Sequence, residues 1–172
     1  VKGPVPTGFY KEEFNKAKVV RAGKDVTIVA TSYMVLEAYR AAEHLDRMGI
    51  SAEVIDLRTI SPYDRETIFA SVRKTGHLVV ADTGHLSFGV ASEIVAECTE
   101  KNFSFLKGPP IRVASPDFPA PTSPALSKYY YPHSQEVIQA ALKALGKTQN
   151  INRIENIELP SDVPDLSFTG PF

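Results

Sequence analysis

The sequence predicts an α/β domain: a three-layer α/β/α sandwich with a five-stranded, mostly parallel sheet whose first strand is antiparallel. Short runs of β-branched and aliphatic residues alternate with longer segments in which apolar residues recur at helical spacing. The short runs are apolar at consecutive positions, which is typical of strands that are covered on both faces. Gly and Pro residues separate the two kinds of segment.

Five runs have the composition of strands. They are residues 16–20, 25–30, 52–57, 77–82 and 111–114. Gly23 lies between the first two runs, in a segment short enough for a tight reversal. We therefore expect the first strand to run antiparallel to the second.

Each of the last four strands is followed by a predicted helix. Thr31 or Ser32 would cap the first helix, which should end near Gly49. Ser61-Pro62 would start the second helix, because Pro is favoured in the first turn.

The last two helices are delimited in the same way. The third is predicted from Val90 to about Phe103, and Pro109-Pro110 prevents its continuation. After a proline-rich loop, Ser134 would cap the last helix, and Gly146 would close it.

Composition divides the chain into three segments. Residues 1–15 are expected to form a linker or arm, and residues 16–146 the folded domain. Residues 147–172 are predicted to be an extended acidic tail that lies on another surface or stays mobile. Between Ile151 and Phe172, one basic residue stands against four acids, which gives a net charge of −3.

The overall composition argues against several classes of function. The 172 residues carry a formal net charge of −1, so no basic excess points to a nucleic-acid partner. No apolar run reaches the ~18 residues of a membrane span, and the N-terminus has no stretch suited to a signal peptide. The missing initial Met suggests a processed chain or a piece of a longer one. Cys98, the single cysteine, lies among apolar residues at helical spacing and is expected to be a buried structural thiol.

Two long motifs carry a family resemblance. They are GISAEVIDLRTISPYDRETIFASVRKTGHLVVADTG, residues 49–84, and RVASPDFPAPTSPALSKYYYP, residues 112–132. In this order they resemble the C-terminal domain of the beta subunit of thiamine-diphosphate-dependent 2-oxo acid dehydrogenases, of the pyruvate, branched-chain and acetoin types. The resemblance covers about Lys16 to Leu145. Transketolases and deoxyxylulose-phosphate synthases share the fold, but their sequences are less similar to IDLRTISPYD.

The resemblance implies a non-catalytic, transketolase C-terminal-like domain of an enzyme. In that family, thiamine diphosphate and Mg²⁺ bind between two other domains through a Gly-Asp-Gly motif and a glutamate, and this sequence has no Gly-Asp-Gly. The implied roles are pairing of beta subunits and docking of the lipoyl acyltransferase component. The parent reaction would be oxidative decarboxylation of a 2-oxo acid with acyl transfer to lipoyl, in the cytoplasm or in the mitochondrial matrix of a eukaryote. The isolated chain would be inactive.

The sequence itself offers no chemical motif that changes this expectation. It has no phosphate-binding glycine loop, and its four histidines are scattered without metal-ligand spacing. The histidines are His44, His77, His85 and His133. We therefore predict no catalytic, cofactor-binding or metal-binding residue in this chain.

Several loop residues are candidates for interface contacts instead. Arg58 follows a strand end and could bind a carboxylate or phosphate, although an ion pair that braces a loop or subunit contact is the commoner role. Asp117 and Phe118, in the proline-rich loop, are better suited to contact than to catalysis. The run Tyr129–Tyr131 suits an interface too, with one of its rings in the core.

His85 is expected just beyond the carboxyl end of a strand, where open α/β sheets place ligands. Gly84 and Gly89 would allow a tight loop before a helix N-terminus that could accept an anion, and Asp82 or Glu93 could pair with the imidazole. The commoner outcome is a loop histidine that contacts a neighbouring domain, with both carboxylates in solvent.

Two other interpretations stay open at this point. The chain could be part of a transketolase- or synthase-type enzyme, which sequence upstream of this domain would reveal. It could also be a stand-alone module that binds a small anion at the His85 loop. Fold alone cannot distinguish these functions.

Overall fold

A computed structural model describes residues 7–127 and 129–148. Within them, five strands form one sheet with helices on both of its faces. The strands are β1 (Lys18–Arg21), β2 (Val26–Ala30), β3 (Ala52–Asp56), β4 (Leu78–His85) and β5 (Ile111–Ser115). The helices are α1 (Met34–Arg47), α2 (Arg65–Thr75), α3 (Val90–Asn102), the single turn α4 (Pro124–Ser127) and α5 (Ser134–Ala144). A 3₁₀ turn, Phe103–Phe105, extends α3.

The strand order is β1-β3-β2-β4-β5, and every pairing is parallel except that of β1 with β3. Helices α1 and α5 cover one face of the sheet, and α2 and α3 cover the other. Neighbouring residues of β2 show the alternation, since Ile28 packs in the first core and Val29 in the second. The predicted three-layer fold is confirmed.

The first strand is antiparallel as predicted, but its partner is β3 rather than the next strand along the chain. The connection between β1 and β2 lies directly on the start of β3. A Cβ atom at Gly23 would lie 2.2 Å from the Ala52 carbonyl carbon, so only glycine permits this approach. Asp25 Oδ2 also accepts a 2.7 Å hydrogen bond from the Ser51 backbone N–H. These contacts place β1 at the outer side of β3.

Helix α2 starts four residues later than Ser61-Pro62, where the sequence predicted it. Its N-cap is Asp64, whose Oδ1 accepts from the Thr67 backbone N–H at 3.2 Å and whose Oδ2 accepts from the Thr67 hydroxyl at 2.7 Å. The same carboxylate accepts from the Ala17 backbone N–H at 3.2 Å. Asp64 therefore joins the start of α2 to the segment that precedes β1.

The predicted caps of the first and last helices are wrong by one or two residues. Thr31 donates its hydroxyl to Asp82 Oδ1 at 2.7 Å instead of capping α1, whose N-cap is Tyr33. His133 is the N-cap of α5, and Ser134 is its first helical residue. Thr31 is thus committed to Asp82, Ser32 is exposed with a positive φ angle, and the Ser134 side chain is buried.

Glu37 is a fully buried carboxylate in α1 that joins this helix to the start of α5. It accepts hydrogen bonds from Ser134 N–H at 2.7 Å, Arg40 Nη1 at 2.8 Å and the Tyr33 hydroxyl at 2.9 Å. Because a buried charge is tolerated only when it is paired and hydrogen-bonded, these three donors make the position viable.

The described residues outside the sandwich are few. Residues 7–15 lie before β1 without regular structure, apart from an isolated turn, and are mostly exposed. The predicted tail lies outside the described residues except for positions 147 and 148. No helix in the described ranges has the length and apolar character needed to cross a bilayer.

We predict that Glu37→Ala lowers the free energy of unfolding by about 3 kcal/mol, because it removes the buried acceptor of the Ser134 N–H and the carboxylate that pairs with Arg40. Glu37→Gln should lower it less, since the amide oxygen can still accept from Ser134. The matched control is Glu43→Ala, an exposed position of the same helix, which should stay within about 0.5 kcal/mol of the parent. Urea denaturation measures all three; equal midpoints for Glu37→Ala and the control would contradict the prediction.

Candidate functional site

Residues with unusual backbone geometry gather where the parallel strands end. Ser32, Arg58 and Phe88 have positive φ angles of 49°, 59° and 57°, and they follow β2, β3 and β4 respectively. Such conformations are strained for non-glycine residues and persist only where surrounding contacts enforce them. Carboxyl ends of parallel strands are also where α/β proteins place their sites. This edge is therefore the candidate functional surface.

Arg58 is engaged by acidic residues on both sides. Its Nη1 lies 2.6 Å from Glu12 Oε2, and its Nε lies 3.5 Å from Asp56 Oδ2. The ion pair with Glu12 joins Arg58 to the segment before β1.

The loop after β4 is fastened to the next strand connection by side-chain hydrogen bonds. Asp117 accepts from the Ser87 N–H at 2.9 Å and from the Ser87 hydroxyl at 2.6 Å. Arg112 Nη1 donates to the Leu86 carbonyl at 2.7 Å and to Ser92 Oγ at 2.6 Å. The loop consequently has a defined shape although most of it is exposed.

Asp117 acts in this loop as a charged acceptor. The hydrogen bond from the Ser87 hydroxyl, and then that from the Ser87 N–H, lower the pKa of the Asp117 carboxyl below its ordinary 3.8, and the nearby His85 and Arg112 lower it further. The carboxylate is therefore ionised at neutral pH and suited to holding the loop rather than to donating a proton.

His85 is the last residue of β4, whereas the sequence placed it in a loop. Strand β4 continues through residues 82–85, because His85 still pairs with Ser115 of β5. The register of the two strands shifts between Ala81 and His85. Within the described residues, no hydrogen bond joins His85 to Asp82 or to Glu93. Asp82 instead accepts from Thr31 and is buried.

The glycines of this loop do not form a cradle for an anion. A Cβ atom at Gly84 would lie 2.9 Å from Asp82 Oδ2, and one at Gly89 would lie 2.4 Å from the His85 carbonyl oxygen. The space beside both glycines is thus occupied by the chain's own oxygens, a carboxylate and a carbonyl, which would repel a phosphate. In the described part of the chain, no three His, Cys, Asp or Glu side chains are grouped to hold a metal ion. The residues present at this edge do not fit a bound diphosphate.

Phe118 and the tyrosine run form an aromatic cluster beside the loop. The Phe118 and Tyr130 rings meet edge to face with centroids 5.5 Å apart, and Tyr130 and Tyr131 do so at 5.0 Å. Tyr130 is buried, which confirms that one ring of the run belongs to the core, while Phe118, Tyr129 and Tyr131 are exposed.

Phe88 is the residue that the sequence did not single out. Its side chain is fully exposed, and its loop is held by the Ser87–Asp117 and Leu86–Arg112 contacts. We call the exposed apolar side chains of the two connections after β4 and β5 the carboxyl-edge surface. It comprises Leu86, Phe88, Phe118, Leu126, Tyr129 and Tyr131.

Cys98 contributes to the core and not to this surface. It is fully buried in α3, as predicted, and burial raises the pKa of its thiol to about 11. The thiol is therefore protonated at neutral pH and unsuited to nucleophilic attack.

Comparison with known proteins identifies a consistent set of relatives. A family model described as the transketolase C-terminal domain matches residues 15–137. The chain is 48% identical over 78% of its length to the mitochondrial pyruvate dehydrogenase E1 component subunit beta-1 of Arabidopsis thaliana, covering 37% of that protein. It is 43% identical over 82% of its length to the pyruvate dehydrogenase E1 subunit beta of Bacillus subtilis, covering 43% of it. The acetoin:2,6-dichlorophenolindophenol oxidoreductase subunit beta of Cupriavidus necator is 41% identical over 84% of the chain, which covers 43% of that subunit.

Among solved structures, a split-gene transketolase described as an inactive beta4 tetramer is similar with a TM-score of 0.69. It is 34% identical, and the match covers 84% of this chain and 48% of that one. The chain thus spans less than half the length of each of these relatives.

We predict that the Ser87 amide resonance titrates with Asp117, with a midpoint below 3.8. The folded-state pKa is lowered, so the loop contact is complete above the ordinary value and is lost as pH falls through the lowered one. A series of ¹⁵N–¹H correlation spectra from neutral to acid pH would follow it. Asp117→Asn should abolish this titration, whereas the control Glu93→Gln should leave it intact. A midpoint at or above 3.8 would contradict the prediction.

Proposed function

Because the chain belongs to the transketolase C-terminal domain family, and its relatives include beta subunits of pyruvate and acetoin dehydrogenases, we propose that it is an assembly domain of such an enzyme. In this role it pairs with a second beta-type chain and takes part in docking the lipoyl acyltransferase component. It supplies no catalytic group of its own.

The carboxyl-edge surface is the observation that carries this proposal. Several exposed apolar side chains gathered at one edge of a domain mark a contact site, because leaving them in water is unfavourable. Phe88 is the clearest case, because it is fully exposed on a loop that three hydrogen bonds of Asp117 and Arg112 hold in place. Because the backbone of this loop is already held, little backbone entropy is lost when a partner covers Phe88, which favours an anchoring role.

A second copy of a beta-type chain is the partner that the comparisons favour. The similar transketolase structure is described as a tetramer of beta chains, and it is described as inactive. That it is a tetramer of beta chains supports association of chains of this type with one another. That it is inactive supports the view that the reaction requires other parts of the enzyme.

The reaction of the whole enzyme follows from the family resemblance. We propose oxidative decarboxylation of a 2-oxo acid, with acyl transfer to a lipoyl group, and with thiamine diphosphate and Mg²⁺ bound by domains outside this chain. The occupied glycine loop at Gly84 and Gly89 supports the assignment of the cofactor to other domains. We place the chain in the mitochondrial matrix if it is eukaryotic and in the cytoplasm if it is bacterial; the plant relatives named as mitochondrial support the first assignment.

One alternative has an observation in its favour. The structural similarity to a transketolase at 34% identity supports a carbon-transfer enzyme as the parent. The higher identity to dehydrogenase subunits, 48% and 43%, favours the dehydrogenase. A stand-alone anion-binding module would be expected to have a polar surface at this edge, and the aromatic side chains there argue against it.

We predict that the chain forms dimers, and that Phe88→Asn weakens them by about tenfold or more, the loss expected for an anchoring aromatic residue. Asn tolerates positive φ, so the loop should keep its shape. The control is Phe103→Asn, which removes another exposed ring, at the far end of α3. Light scattering over a dilution series measures the effect. A parent chain that stays monomeric, or equal weakening by both variants, would count against the proposal.

We also predict no turnover when the purified chain is given thiamine diphosphate, Mg²⁺, a 2-oxo acid and an artificial electron acceptor. The carboxyl edge does not fit the diphosphate, so the chemistry has no site in the described residues. The positive control is a complete dehydrogenase under the same conditions. Measurable turnover by the chain alone would refute the non-catalytic role.

A further inference from the structure

A second exposed aromatic face lies at the opposite edge of the sheet, where the parallel strands begin. The 3₁₀ turn that ends α3 carries Phe103, 74% exposed, and Phe105, 47% exposed. This face is separate from the carboxyl-edge surface, because α3 starts at that edge and ends at this one.

One arginine lies beside a ring of this turn, and two lysines flank the turn in sequence. The Arg73 guanidinium carbon lies 5.8 Å from the centroid of the Phe105 ring, and Arg73 Nε donates to Asn102 Oδ1 at 2.8 Å. Lys101 precedes the turn and Lys107 follows it, and both are exposed. The acids Asp25 and Glu100 also lie near this edge, and Lys74 is already paired with Glu53. We call Arg73, Lys101, Phe103, Phe105 and Lys107 the amino-edge face.

The last described helix ends beside this face. A Cβ atom at Gly108 would lie 2.4 Å from the Ala144 carbonyl oxygen, so the end of α5 touches the segment that follows the 3₁₀ turn. The Lys107 N–H donates to the Gly76 carbonyl at 2.8 Å, which joins this segment to the end of α2 as well. The chain therefore leaves α5 within a few residues of the exposed rings.

The sequence that follows complements the face in charge and in apolar character. Residues 149–172 contain one basic residue, Arg153, against four acids. The acids are Glu155, Glu158, Asp162 and Asp165. Aliphatic residues and two phenylalanines, Phe168 and Phe172, are interspersed with them. At about 3.3 Å per extended residue, a segment of this length can reach any part of the face.

We propose that the amino-edge face is the docking surface for residues 149–172 of the same chain. The apolar side chains of that segment cover Phe103 and Phe105, and its carboxylates pair with Arg73, Lys101 and Lys107. A tethered segment reaches this face at an effective concentration in the millimolar range, so weak contacts suffice. The inference is independent of the dimer, which uses the other edge.

Carbodiimide cross-linking of the full chain tests which segment occupies the face. Mixing ¹⁵N-labelled and unlabelled protein before the reaction distinguishes links within one copy from links between copies. We expect links from Lys101 or Lys107 to the acids of residues 149–172, within one copy. Links only between copies, or none to these acids, would overturn the proposal.

Trypsin cleavage after Arg153 of the full chain gives a second readout, because the rate follows the population in which the segment is released. Phe103→Asn should speed this cleavage about tenfold, and Lys101→Glu should do the same without removing a ring. Phe88→Asn, at the other edge, should leave the rate unchanged. Phe88→Asn should therefore change light scattering but not proteolysis, and Phe103→Asn should change proteolysis but not light scattering. The two measurements thus distinguish failure of this proposal from failure of the dimer. Unchanged cleavage in both Phe103→Asn and Lys101→Glu would overturn it.

Discussion

The burial of one parallel sheet on both faces is the constraint on which the rest of this domain depends. All five residues of β2, and all five of β3, are inaccessible or nearly so. A backbone in such a position must satisfy its hydrogen bonds within the sheet, and side chains on both faces must be packed. The loops that connect the strands and helices therefore lie at the two edges where strands begin and end. The separation of the molecule into a carboxyl edge and an amino edge with different surface chemistry follows from this.

Polar groups that do enter the interior have partners there. The Thr27 hydroxyl of β2 lies 2.6 Å from Ser71 Oγ and 2.8 Å from Thr75 Oγ1, both on α2. Glu37 performs the same function on the other face, between α1 and α5. Each cluster links two elements that are distant in sequence, so the interior polar groups specify which helix lies where in addition to the apolar packing.

The sequence was sufficient for the elements of the fold. Runs such as DVTIVA and AEVIDL identify buried strands, because consecutive apolar residues of this kind are typical of strands covered on both faces. The contact roles of Asp117 and Phe118 remain predictions, made from the proline-rich loop in which they lie. The partner of β1 could not be predicted, since it depends on a close approach of Gly23 to the backbone of β3. Phe88 was missed for a similar reason, because its exposure results from a positive φ angle and from hydrogen bonds to residues thirty positions away. The one signal available was an aromatic residue between Ser87 and Gly89, close to Leu86, in a loop with few other apolar residues.

Strand β4 has a further consequence that arises from its length alone. It has eight residues where β2 has five, and Ala81 already lies opposite the last residue of β2. The next four residues continue along β5 as far as Ser115, about 13 Å farther at ~3.3 Å per residue. The loop that carries Phe88 therefore begins well beyond the end of β2. The position of that ring is set by the length of the strand as well as by the residues of the loop.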